Sequence, residues 1–111
     1  MNERLRVLLV GSFLLFAVTL IGCTALQRMP VADEVVPHGE GTDLDTLRLG
    51  RAIVVTECVG CHRTYWPGEF SARQWGDIAQ NMSNRVGLTT PQTQAVRNYL
   101  EAAARTEAAL R

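Results

Sequence analysis

Three hydrophobic patterns follow one another along the chain. Residues 7–22 form an apolar run broken only by small or hydroxyl residues, behind a short head that carries Arg4 and Arg6. Residues 25–42 show little periodicity and mix Pro30, Pro37, Gly39 and Gly41 with acids. From Asp43 onward apolar residues recur at three- and four-residue intervals, which predicts amphipathic helices. Asp43 or Asp45 is placed to cap a first helix through Leu47, Gly50 and Val54 that ends near Cys58. A turn-rich stretch, Tyr65-Trp66-Pro67-Gly68-Glu69-Phe70, precedes a second helix over 72–86, capped by Ser71 and stopped by Gly87. Its Trp75, Ile78, Ala79, Met82 and Val86 make one stripe. Thr89-Thr90-Pro91-Gln92 starts a third helix, with Ala95, Val96, Tyr99, Leu100 and Ala103 as its buried face and an Ala-rich tail expected to fray. The fold class expected is all-α, with three main helices.

The first segment has the form of a secretory signal peptide. At 16 residues, its apolar run falls short of the roughly 20 a spanning helix needs. Leu20-Ile21-Gly22-Cys23 is similar to the bacterial lipobox. That likeness implies that Cys23 is acylated and becomes the mature N-terminus, anchoring the protein to a membrane at the periplasmic side. Thr24, where an aspartate would retain a lipoprotein at the inner membrane, favours the outer one. The division expected is therefore a signal peptide at 1–22, a lipidated cysteine and flexible tether at 23–42, and a folded domain at 43–111. Met29 and His38 are expected as solvated tether residues.

Charge narrows the partners. Arg and acidic residues balance at 11 each and there is no Lys, which argues against nucleic acid. Without Glu3, Arg4 and Arg6 the exported part is mildly acidic. A domain this small hides too little surface to be secure by burial alone and gains from a disulfide, metal or cofactor.

Cys58-Val59-Gly60-Cys61-His62 points to that cofactor, because CxxCH is the attachment signature of c-type haem. Positions i, i+3 and i+4 lie on one helical face, so two thiols reach two vinyl groups of one porphyrin while the adjacent imidazole takes the iron. A thioredoxin-type CxxC, a zinc site and a plain disulfide are the rivals. The first lacks a neighbouring βαβ pattern, and the second lacks a fourth ligand nearer than His38. An export signal supports haem, which is attached outside the cytoplasm.

Taken together, Gly50 eight residues before the motif, CxxCH at the helix end and Tyr99-Leu100 in the last helix resemble the small class I type cytochrome c domain. The Pro turn, Trp75 seven residues before Met82 and the closing Tyr-Leu helix are similar, more narrowly, to compact haem domains of bacterial dihaem and lipoprotein cytochromes. The resemblance covers roughly residues 44–103. It implies that the first and last helices cross at Gly50 beside Tyr99, and that Val54 stands where an aromatic is common. Cofactor and metal assignments are then one covalent haem c on Cys58 and Cys61, His62 as proximal ligand and Met82 as the distal candidate. Core filling, or a distal site left vacant or taken by water or an amide such as Asn81 or Asn84, remain the alternatives to Met82 ligation. The function expected is a membrane-anchored one-electron carrier serving a dehydrogenase, a reductase or another cytochrome, and not an enzyme by itself. A five-coordinate haem sensor, or a haem-bearing subunit with Arg73, Arg85, Arg97 and Arg105 as contacts, are the alternatives.

Overall fold

The computed structural model describes residues 2–21, 29–63 and 65–111, the side chains of 13–21 excepted. Among them lie five α-helices and no strand: α1 Glu3–Ile21, α2 Ala32–Val35, α3 Leu44–Thr56, α4 Ala72–Val86 and α5 Thr90–Ala109. Short 3-10 turns at Val36–His38, Cys58–Gly60 and Pro67–Glu69 fall between them. The fold is all-α, and α3, α4 and α5 are its three main helices.

Side chains at the helix starts explain why the boundaries fall where they do. Asp43 accepts the Thr46 amide at 2.9 Å and the Thr46 hydroxyl at 2.6 Å. Ser71 and Gln74 exchange bonds with each other's backbone amides (3.2 and 2.9 Å), and Thr89 and Gln92 do the same (3.4 and 2.9 Å). Each cap satisfies N–H groups that have no partner in the helix, a contribution of about 1 kcal/mol. α4 stops at Gly87, which takes the left-handed conformation (φ 71°), while the Leu88 amide closes on the Ser83 carbonyl at 3.0 Å.

α5 is the central helix, packed against α3 on one side and α4 on another. Gly50 is what lets α3 approach. A Cβ placed there would overlap the Ala95 carbonyl and lie 2.8 Å from Tyr99 Cβ. The crossing of first and last helices at this glycine, beside Tyr99, is therefore as the resemblance implied.

Residues 29–42 depart from the tether expectation. Met29, Ala32 and Val35 are buried, and α2 with the turn after it packs on α5 and α3. The backbone of this strap is also held by side chains. Arg51 donates to the Met29 and Pro30 carbonyls (3.2 and 3.1 Å), the Tyr99 hydroxyl to Pro30 (2.7 Å) and Arg105 to the His38 carbonyl (3.2 Å). A single turn of helix is too short to leave a periodic signature, so composition alone reads it as linker. Ala103 is buried as expected, and Ala102 and Ala104, at the start of the stretch expected to fray, are buried too. Cys23 and residues 22–28 lie outside the described residues.

In α1 the described apolar side chains, Leu5, Val7, Leu8, Leu9 and Val10, are exposed. No helix among the described residues is long and apolar enough to cross a membrane.

Candidate functional site

α3 ends at Thr56, and Cys58 begins the 3-10 turn directly after it. Cys58 and Cys61 are free thiols, Cys58 half-buried and Cys61 exposed. Burial pushes the Cys58 thiol up, with Glu57 and then Cys61 adding to the effect. A thioredoxin-type nucleophile needs the opposite, a thiol shifted down toward neutrality by positive surroundings. Among the described residues no group of three or more His, Cys, Asp or Glu side chains is arranged to hold a metal ion.

His62 follows with its Nδ1 2.7 Å from the Arg63 carbonyl oxygen. A carbonyl oxygen only accepts, so Nδ1 is the donor of this bond and Nε2 is the nitrogen left to face a metal. The loop beyond is fastened by charge. Arg63 forms a two-pronged bond to Glu69 (3.1 and 3.0 Å) and lies 4.3 Å over the Tyr65 ring, while Glu69 also accepts the Trp66 amide at 2.7 Å.

That fastening sets a row of rings along one wall. His62 and Tyr65 are 5.3 Å apart between centroids, Tyr65 and Phe70 5.8 Å, and Phe70 and Trp75 5.2 Å at 88°. Trp75 is fixed at the buried end of the row, its indole N–H donating to the Pro67 carbonyl at 2.7 Å. Such edge-to-face pairs hold large apolar groups in one orientation. Trp66, in the same turn-rich stretch, is 37% exposed and lines no part of the wall.

The row bounds a cavity of about 360 Å³ whose lining is almost wholly apolar. Val54, Cys58, Ile78, Ala79, Met82, Val96 and Leu100 complete it, together with Met29 from the strap. A second cavity of about 180 Å³ shares Cys58, His62, Met82 and Val96 and adds Cys61, Ser83 and Val86. The α4 stripe thus faces this space as its spacing predicts. His38 lines neither cavity.

A family model for dihaem cytochrome c matches residues 54–110, just over half of the chain. The chain belongs to the dihaem cytochrome c family. The cytochrome c-type protein TorY of Haemophilus influenzae is 28% identical to it over 76 residues, or 68% of this chain and 21% of that protein. This cytochrome therefore spans about a fifth of the length of that relative. No solved structure matches it. Membership implies covalently bound haem c as its cofactor.

The residues of this cytochrome fit that group. Cys58 and His62 line an apolar, aromatic-walled cavity of a size typical for small-molecule sites, and Cys61 joins them in lining the smaller cavity beside it. Ser83, 1% exposed, has a hydroxyl without a hydrogen-bond partner and lines the smaller cavity beside Cys58, Cys61 and His62. An orphaned buried hydroxyl is costly alone and reads as a group awaiting a polar edge, such as a propionate or ligated atom. Sequence reasoning missed Ser83, although it directly follows Met82 on α4, because a lone serine carries no signal. It missed Met29 because the strap was read as solvated.

Proposed function

We propose that this chain is a monohaem c-type cytochrome that relays single electrons at the periplasmic face of a membrane. The observation that supports it best is that Cys58, His62 and Met82 line one apolar cavity walled by Tyr65, Phe70 and Trp75. Cys58 and Cys61 hold the porphyrin edge as thioethers, and His62 binds the iron through Nε2 with its ring oriented by the Arg63 carbonyl. Met82, on α4, would supply the second, thioether ligand. Haem bound there supplies a one-electron ferrous–ferric couple, tuned by its axial ligands and by burial. Stiff surroundings suit that role, since a wall fixed by paired rings and the Arg63–Glu69 clamp need move little when charge changes. One haem is proposed because the sequence contains one CxxCH, within the matched stretch.

The anchor proposed is Cys23, acylated after removal of residues 1–22, with the outer membrane favoured by Thr24. Six residue steps separate Cys23 from the buried Met29, about 20 Å when fully extended. Such a reach favours a redox protein held at the same membrane face: a dehydrogenase, a reductase or another cytochrome.

Intact mass of the full chain, expressed with a haem-attachment system, tests this directly. One added haem is expected, lost when Cys58 and Cys61 are both replaced by Ser, with a reduced-minus-oxidised spectrum that titrates as one electron. The same mass reports acylation at Cys23. Colourless protein with both thiols open to an alkylating reagent refutes the proposal.

A further inference from the structure

Met29 belongs to a segment whose composition reads as linker, yet it is 2% exposed and lines the same cavity as His62 and Met82. Its neighbours explain how it is held there. Arg51, which grips the Met29 and Pro30 carbonyls, lies on α3 one turn before Val54. Tyr99, which donates to Pro30, precedes Leu100 on α5. Val54 and Leu100 both line the cavity. The two side chains that clamp the strap thus stand on the same helix segments as two residues of the wall, and between them they aim the Met29 thioether inward. Val54 is short and leaves that part of the wall shallow, whereas Met is long and unbranched, suited to filling an irregular gap.

We infer that residues 29–42 are a strap that completes the haem pocket, with Met29 as a haem-packing side chain that keeps water from the buried edge. The inference rests on the proposed haem site. Its second anchor lies farther along, where Arg105 binds the His38 carbonyl and pairs with Glu40 at 3.3 Å, so the strap is held at both ends and Met29 has little freedom to withdraw. Met29 acts by excluding solvent, and Met82 remains the distal ligand.

The test uses the full-length haem-loaded protein, with intact mass confirming one haem per chain before any variant is judged. In Met29→Ala, water reaching the pocket stabilises the more highly charged ferric state, so the ferric-to-ferrous ratio at a fixed ambient potential is expected to rise about tenfold. Met29→Leu keeps the volume and is expected to restore the wild-type ratio. An unchanged ratio in Met29→Ala overturns the inference. So does a Met29→Leu variant that behaves like Met29→Ala and loses the near-infrared thioether-to-iron band, because Met29 is then a ligand and not a wall. Should Met29→Ala fail to accumulate, peroxide oxidation of the wild type, mapped by peptide mass, decides. Met29 is expected to resist until the protein is unfolded, and fast sulfoxide formation there in the folded state overturns the strap. Absence of haem in the wild type defeats the proposed function instead, a result the mass shows separately.

Discussion

Replacing Gly50 by Ala tests the packing on which the whole domain depends. The added methyl group would overlap the Ala95 carbonyl and sit 2.8 Å from Tyr99 Cβ, several tenths of an ångström inside ordinary contact. Both obstacles belong to the α5 main chain or its first side-chain carbon, and neither can rotate away. Helix propensity works the other way, since Ala in place of Gly favours α3 by about 1 kcal/mol. Overpacking against backbone that cannot move costs about 3 kcal/mol, the top of the usual range, so after the propensity gain the net loss expected is about 2 kcal/mol. In a domain of this size that lowers the midpoint of thermal unfolding by roughly 5–20 °C. Gly76→Ala is the control within the same protein. Its Cβ would meet the Glu101 carboxylate at 2.5 Å and the Arg97 guanidinium at 3.3 Å, both far ends of flexible side chains, so the propensity gain largely survives and stability stays within about 1 kcal/mol. Thermal unfolding followed by far-ultraviolet circular dichroism compares the two. If Gly50→Ala melts within 2 °C of wild type, or no lower than Gly76→Ala, the close crossing of α3 and α5 is not what holds the domain together.

Two further outcomes follow from named groups. Burial pushes the Tyr99 phenol well above its ordinary value, against a smaller lowering by Arg51. The stability this represents is complete below pH 10, where the unfolded tyrosine is neutral, and is lost as pH rises toward the folded value at about 1.4 kcal/mol per pH unit. Denaturant titrations at pH 8.5 and 11 should show this slope in wild type and a shallower one in Tyr99→Phe, which at neutral pH gives up only the bond to Pro30, about 1 kcal/mol; equal slopes exclude Tyr99 as the source. Met82→Ala in the haem-loaded ferric protein should abolish the thioether-to-iron band in the near infrared, and a retained band transfers the ligand role to another donor, of which Met29 is the thioether lining the same cavity.

How far the sequence could be read depended on whether a feature leaves a local mark. Helices α3, α4 and α5 start at Asp43, Ser71 and Thr89 because a side chain there meets the backbone three residues on, a relation within four letters of sequence. The α4 stripe was equally open, since burial on one face must repeat at the helical period. The strap left no such mark. Its burial rests on Arg51, Tyr99 and Arg105, which lie between 21 and 69 residues away from the carbonyls they bind. Backbone carbonyls look alike in every sequence, so nothing in residues 29–42 announces that three of them are taken. Two indirect signs were nevertheless present in the α3–α5 pair. Val54 is small for a wall residue facing a large planar group, and the alanines at 102–104 are too apolar for a free helical tail. Each marks a surface that another part of the chain must cover. Two segments supply that cover: the turn at Pro67–Glu69 packs on α5, and the stretch before α3 brings Met29, Ala32 and Val35 into the core.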